Sequence, residues 1–522
     1  MKDNQFIKGA MLLTLAGLLS KILGAAYRIP LQNITGDLGY YIYQQIYPFI
    51  GFVMILSLYG FPTAISNLTA AMQKKGLGIS LRSFYIPIFI ILLGINGFLF
   101  VGLYVSAGFI ANFIGDPQLV FAYRMVAFTF LLIPFTVLLR GVFQGIQDMK
   151  PTAYSQLGDQ FIRVGMIIFM AYFIVTKGMD MYLIGEAAAL ASICGAIFAI
   201  IILSIFLMRR KLWTYEAYPV PWKHYVMTLL TFGIVASLNH LVLIILQFAD
   251  VFSLVPNLKT YGLNTLAAME EKGIFDRGQP LIQLGSVLGS SLAIAVIPAI
   301  SKISGRQNIQ ELKSHVESAL KVCFYLSAGA TIGLIGIFPE ANILLFQNDK
   351  GTISLQVLAV AILFSSLAIT GMSILQSLGK YFITIVYLFI VFMVKLLANH
   401  LLVPMFGITG SSIATIFALF ILCLLIYVAL KRNIPALQLG RHMKIRSFLF
   451  AGGLMLGYLL LVRYVYLLLP AFSRSGLLFY ILFVVGTGAM LYIYMLIRRK
   501  AFTEEELHTL PLASLWLRIY RY

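Results

Sequence analysis

Val142-Phe143-Gln144-Gly145-Ile146 and Ile374-Leu375-Gln376-Ser377-Leu378 stand 232 positions apart and share one pattern, an apolar run closing on glutamine and a small residue. The same offset sets Arg163 opposite Lys395, so a basic residue recurs at a matched place in each copy. Gly185-Glu186-Ala187-Ala188 is echoed by Gly410-Ser411-Ser412-Ile413, and Pro62-Thr63-Ala64-Ile65-Ser66 by Pro298-Ala299-Ile300-Ser301. Apolar helices resemble one another by chance, so no single match counts for much. Their common order points to an internal duplication.

What is duplicated follows from the apolar runs around these matches. They lie near 8–30, 41–72, 83–107, 119–145, 153–176, 180–208, 222–252, 279–301, 315–338, 354–379, 381–404, 408–430, 446–468 and 475–497, here numbered spans 1 to 14. Each is long enough to cross a hydrocarbon core of about 30 Å. Composition agrees: 60% of residues are hydrophobic and 11% charged, and mean hydropathy is +0.93. Water is therefore not the main solvent. The expected fold is an all-α polytopic membrane protein of about fourteen transmembrane helices. Spans 1–6 and 7–12 form two six-helix lobes, residues 1–213 and 214–432, followed by spans 13 and 14 with a tail, 433–522. Six is even, so both lobes enter the membrane from one side, and the pseudo-two-fold axis relating them runs along the membrane normal.

A net charge of +19 is first explained on such a chain by orientation and anionic headgroups, and nucleic acid is the weaker reading. With both termini cytoplasmic, most of the 38 Lys and Arg fall on the inner side of the cell membrane. The heaviest clusters are Arg209-Arg210-Lys211, Lys431-Arg432 with Arg441, Lys444 and Arg446, and Arg498-Arg499-Lys500. The first span carries Lys21 and Arg28 and lacks a cleavage site, so it reads as a helix rather than a signal peptide. Cys194, Cys323 and Cys423 have neither disulfide nor metal spacing. The tail opens on a capping-box pattern, Thr503 to Glu506, then sets Leu512, Leu515, Trp516 and Ile519 at helical spacing beside Arg518 and Arg521, as an interfacial segment would.

Charges inside spans cost about 2.5–3.5 kcal/mol each on insertion scales and persist where they pair or line a wet cavity. Lys21 and Arg28 are seven apart, two turns, and project from nearly one face of span 1. Two cations on one face suit a pyrophosphate, Arg gripping oxygens bidentately and Lys supplying a point charge. The plainer alternative is that Arg28 snorkels to the headgroups. Lys395, with Asn399 and His400, is the candidate cation of the second lobe, or else a polar contact between helices. Asp250, after Gln247, is the candidate coupling or counter-ion group. Asp159 and Arg163, four apart, suit an intrahelical pair. Arg140 and Gln144 close span 4, where a gate or a solvated helix end would stand, and Arg277 is grouped with them as gate or structural. No P-loop, HExxH, nucleophile elbow or metal cluster occurs, so neither catalysis, cofactor, metal nor ATP-driven transport is expected. A gradient of protons or sodium ions, the membrane potential or substrate flux must supply the energy.

Arg140-Gly141-Val142-Phe143-Gln144-Gly145, then Met149-Lys150-Pro151-Thr152-Ala153 and Gln160-Phe161-Ile162-Arg163-Val164, resembles the span 4–5 signature of the polysaccharide-biosynthesis, stage V sporulation protein B-like membrane proteins. Ser20-Lys21-Ile22-Leu23-Gly24 resembles their span-1 motif, and Phe61-Pro62-Thr63-Ala64-Ile65-Ser66 and Asp276-Arg277-Gly278-Gln279-Pro280-Leu281 also match. The family belongs to the multidrug/oligosaccharidyl-lipid/polysaccharide exporter superfamily and is similar to MurJ-type lipid II flippases. The resemblance implies a central cationic cavity, with Arg28 on a cavity arginine and Lys21 on the motif's basic position, and an extra helix pair that forms a groove for a lipid tail. It departs from the MurJ-type pattern around Tyr27-Arg28-Ile29 and Tyr40-Tyr41, where acids are missing. The expected function is a flippase for undecaprenyl-pyrophosphate-linked sugars. The rivals are a proton- or cation-coupled exporter of amphipathic drugs and a non-transporting scaffold for cell-wall synthesis.

Overall fold

The chain is seen in a computed structural model that describes residues 2–294, 300, 309–435, 437–438, 443–468, 473–508 and 513–521. Among the described residues the regular structure is helical, and extended pairing is limited to one isolated bridge, Ser80 to Thr214. Twelve segments of the described residues are long and apolar enough to cross a membrane. One of these, Met11–Lys74, holds spans 1 and 2 together. As a straight helix its 64 residues would reach about 96 Å, three times what a bilayer core needs. It breaks at Gly36, where φ is +67° and ψ −171°, a left-handed backbone that glycine adopts without steric cost. The reversal is visible in its contacts: Tyr27 and Tyr43, sixteen residues apart, share a hydrogen bond between their hydroxyls. Span 8 is the Gly278–Ile294 helix, whose continuation, with Pro298, Ala299 and Ser301 of the repeat, lies outside the described residues.

The chain forms two compact units, Met1–Pro256 with Thr265–Gly273, and Asn257–Asn264 with Ile274–Tyr522. The first contains spans 1 to 6 and span 7 as far as Pro256, a proline inside the 39-residue helix Trp222–Thr260. The lobes expected from the repeat concern ancestry, whereas these units reflect packing.

In the first unit, the segment joining span 6 to span 7 lies along the one joining span 2 to span 3. Leu81 N–H donates to the Thr214 carbonyl at 2.8 Å and Thr214 N–H to Ile79 at 3.1 Å. Ser83 Oγ donates to the Tyr218 carbonyl at 2.8 Å, and Tyr85 OH to the Leu212 carbonyl at 3.2 Å. A Cβ on Gly78 would stand 2.7 Å from Thr214, so glycine is what lets the two backbones meet.

The second unit is centred on the helix Ile309–Phe346, span 9. Spans 13 and 14, Ile445–Leu468 and Arg474–Arg498, pack on it through Met455, Leu459, Val484 and Tyr492. A Cβ on Gly329 would meet the Tyr492 ring at 2.5 Å and one on Gly336 the Leu459 side chain at 2.7 Å, the close approach that small residues allow between membrane helices. The capping box forms: Glu506 N–H donates to Thr503 Oγ1 at 3.3 Å and Thr503 N–H to Glu506 Oε2 at 2.8 Å. The Glu506 carboxylate also accepts from Lys321 at 2.7 Å and Ser318 at 2.9 Å, which ties the tail to span 9. Trp516, Leu517 and Tyr520 pack on the same apolar cluster; Pro511 and Leu512 lie outside the described residues.

The repeat is written in backbone geometry as well as in sequence. Span 4 ends with Ile146 N–H on the Val142 carbonyl, Gln147 on Gln144 and Asp148 on Phe143; span 10 ends with Leu378 on Ile374, Gly379 on Gln376 and Lys380 on Leu375. Every one of these positions is displaced by 232. The left-handed residue falls at Gln147, φ +64°, and at Gly379, φ +76°. Both helices therefore stop in the same Schellman cap.

Candidate functional site

The two expected cations of span 1 have different surroundings. Arg28 is 1% exposed, its guanidinium lying 3.8 Å from the centroid of the Tyr47 ring. The chain reversal at Gly36 brings Tyr27 and the Tyr40, Tyr43 and Tyr47 face of span 2 together. Tyr43 packs on Tyr27 at 6.1 Å, on Tyr40 at 6.2 Å and on Tyr47 at 5.8 Å. Residues 40, 43 and 47 are spaced to share one helical face, a signal in the sequence that would have revealed the aromatic enclosure. Lys21 is exposed, with its ammonium 5.8 Å from the Tyr59 ring.

Behind them, spans 4 and 5 carry a charge network. Arg163 donates to Asp159, four residues earlier on the same helix, and to the Met54 sulfur. Arg140 of span 4 reaches the other Asp159 oxygen at 3.7 Å, donates from Nε to Ser155 Oγ at 3.1 Å, and bonds the Ser57 hydroxyl and carbonyl at 3.0 and 3.3 Å. One carboxylate thus faces two guanidiniums, all three groups buried. A Cβ on Gly195 would lie 2.6 Å from Asp159 Oδ1, so a glycine of span 6 leaves room for the acid. Ser57, Thr129, Thr136, Asp159, Arg163 and Ser192 line a cavity otherwise walled by apolar side chains.

Asp250 is 1% exposed on span 7 in the first unit. Gln144 is half-buried at the end of span 4, its carbonyl receiving the Gln147 N–H of the cap. The remaining expected residues lie in the second unit. Lys395 is fully buried and donates to the Ser411 carbonyl at 2.8 Å, Ser411 Oγ at 2.9 Å and Thr415 Oγ1 at 2.6 Å, joining span 11 to span 12. Arg277 is fully buried, bonds Asn348 Oδ1 at 2.6 Å and lies 5.2 Å from the Phe346 ring. The structure brings Arg140, Asp159 and Arg163 together; Lys21 near the end of the helix Lys2–Ala26 lies by Tyr59, and Arg28 at the start of the helix Arg28–Ile55 lies by Tyr47.

Between spans 3 and 4, Asp116 is 2% exposed and accepts from Tyr41 at 3.1 Å, Tyr182 at 3.1 Å and Gln118 N–H at 3.3 Å. Burial raises its carboxyl above the ordinary range, and the hydrogen bonds offset part of that rise.

The polysaccharide biosynthesis protein family matches residues 6–304, more than half of the chain. The chain belongs to that family. It is 38% identical to the uncharacterized membrane protein YabM of Bacillus subtilis (strain 168), over 98% of this chain and 96% of that one. It is 24% identical to the lipid II flippase MurJ of the same organism, over 83% of each. Among solved structures, lipid II flippase MurJ in an inward closed conformation superposes with a TM-score of 0.66 at 15% identity, covering 94% of this chain and 99% of that one. An inward-facing multidrug resistance MATE transporter of the MOP superfamily gives 0.65 at 14%, covering 82% and 98%. The protein is a multi-pass membrane protein with the fold of these transporters.

Proposed function

We propose that the chain is a flippase that carries a polyprenyl-diphosphate-linked sugar across the cytoplasmic membrane by alternating access, with both termini on the cytoplasmic side. The observation that carries this reading is the sign of the charge held within the spans of the first unit. Lys21, Arg28, Arg140 and Arg163 stand there against two acids, Asp159 and Asp250. Desolvated positive charge attracts an anionic diphosphate and opposes a lipophilic cation. The likeness to a MurJ flippase supports the reading, whereas the MATE likeness is one of fold and leaves the sign of the cavity to decide. In this mechanism Lys21 meets the headgroup, and Arg28 joins it as the lobes rock. Arg140, Asp159 and Arg163 fix the helices behind, and Asp250 is the group for a coupling ion or a counter-charge. Lys395 ties spans 11 and 12, and Arg277 braces the end of span 9. The polyprenyl tail stays in lipid throughout, so only the polar headgroup needs a path.

The test is translocation of a labelled lipid-linked sugar in proteoliposomes beside efflux of a cationic dye, in wild type and in Lys21→Gln with Arg28→Gln. The expected result is lipid translocation in wild type and its loss in the double variant. Dye efflux that survives in the variant, with no lipid translocation by wild type, would establish the drug-exporter reading instead.

A further inference from the structure

Span 2 departs from α-helical geometry at the π-turn Leu56–Gly60, and Tyr59 stands on it. π-turns are rare and, as single turns within α-helices, are frequent at functional sites. The next residue, Gly60, has no side chain: a Cβ there would lie 2.4 Å from Ser237 Oγ and 2.7 Å from the Gly233 carbonyl. Span 7 can therefore run directly against the turn. One helical turn beyond Ser237 comes His240, whose imidazole stacks on the Tyr59 ring with centroids 3.8 Å apart and planes inclined by 21°. Lys21, from span 1, lies 5.8 Å from the centre of that same ring.

Three helices thus converge an ammonium, a phenol and an imidazole, all in the first unit. Lys21 is exposed and Tyr59 and His240 are half-buried, so each keeps open surface. Stacking covers a face of the imidazole and leaves its two nitrogens, which lie in the ring plane, uncovered by the phenol ring. Among the described residues neither those nitrogens nor the Lys21 ammonium make a hydrogen bond or ion pair. A helix crossing that needed only an aromatic filler would be served by phenylalanine at no polar cost. A histidine in a membrane span with its nitrogens unused, beside an unused ammonium, has the composition of an anion site.

We infer that Lys21, Tyr59 and His240 form the subsite that reads the diphosphate, with His240 as its directional N–H donor, Tyr59 as its O–H donor and platform, and Lys21 as its point charge. The inference rests on the flippase reading and deepens it: a single cation attracts any anion, whereas three donors from three helices select a multi-oxygen headgroup. The π-turn also connects this subsite to the charge network, because Ser57 of the same turn is held by Arg140.

The experiment measures binding of undecaprenyl diphosphate and of undecaprenol to the purified full-length protein in nanodiscs of neutral lipid, and in a third arm of phosphatidylglycerol to the same protein. His240→Phe keeps the stack and removes the donors; His240→Gln keeps a donor and loses the ring. Wild type is expected to prefer the diphosphate over both other lipids. His240→Phe should lose about tenfold or more of diphosphate affinity, the scale of one hydrogen bond to a charged group. His240→Gln should lose less, and undecaprenol binding should be the same in all three. Diphosphate binding by His240→Phe equal to wild type would overturn the subsite and leave the flippase reading standing. Wild type with no preference for the diphosphate over undecaprenol or phosphatidylglycerol would overturn both.

Discussion

Asp159 shows how much a single side chain can settle and how much of that is local. Its pairing with Arg163 is legible in the sequence, since residues four apart on a helix face one another. The share taken by Arg140 is not, because that guanidinium arrives from another helix and no spacing records it. Lys395 was ambiguous for the same reason. Its acceptors, Ser411 and Thr415, are hydroxyl residues like many others in apolar spans, and only packing shows that they converge on the ammonium. The encounter of Tyr59 with His240 across spans 2 and 7 was likewise invisible. At this scale the network makes a sharp prediction. Asp159→Ala would leave two buried guanidiniums facing each other without their acid, a loss of about 3–5 kcal/mol for a broken buried pair. Arg163→Gln leaves Asp159 with Arg140 and should cost less. Thermal melts of the detergent-purified variants would check the order, and equal melting temperatures would show that the acid does not hold the pair.

At the scale of elements, run length and polarity located the spans well because a bilayer imposes the same length on each. Where spans 1 and 2 part is legible as well: Gln32, Asn33, Thr35 and Asp37 interrupt the apolar runs, and among them Gly36, with positive φ, turns the chain. The loop between spans 3 and 4 gave no signal at all, yet Asp116 there is enclosed by Tyr41 and Tyr182, whose sequence distance hides their proximity. Its carboxyl titrates higher in the fold than its unfolded value of about 3.9. The proton is therefore bound more tightly by the folded chain, so the stability it contributes is complete below the unfolded value and is lost as pH rises through the folded one. Asp116→Asn cannot titrate. The melting temperature of wild type should fall relative to that of Asp116→Asn as pH is raised from about 4 toward neutrality. A difference that stays constant with pH would mean that the carboxylate is solvated.

At the scale of the molecule, the duplication was legible because it survives in order and offset, and the matching Schellman caps after Gly145 and Ser377 are its structural imprint. The packing boundary at Pro256 was not legible, since a helix that continues through a proline leaves no break in hydropathy. Orientation is a separate matter that charge asymmetry predicts. Reporter fusions after Lys211 and Arg446 should read cytoplasmic, and fusions near Asp37, Lys177 and Lys272 external. A cytoplasmic signal at Lys272 would remove span 7 or the repeat from the topology. The segment that follows Lys211 has a further consequence. Connections between duplicated halves are ordinarily where a chain carries slack, and where it tolerates a nick or an inserted domain. Here residues 212–218 are hydrogen-bonded to 79–85, and the span they lead into remains in the first unit as far as Pro256. The tether is a splint: it passes force on instead of absorbing it. A cut at this fusion point would therefore unlace the first half before it freed the second.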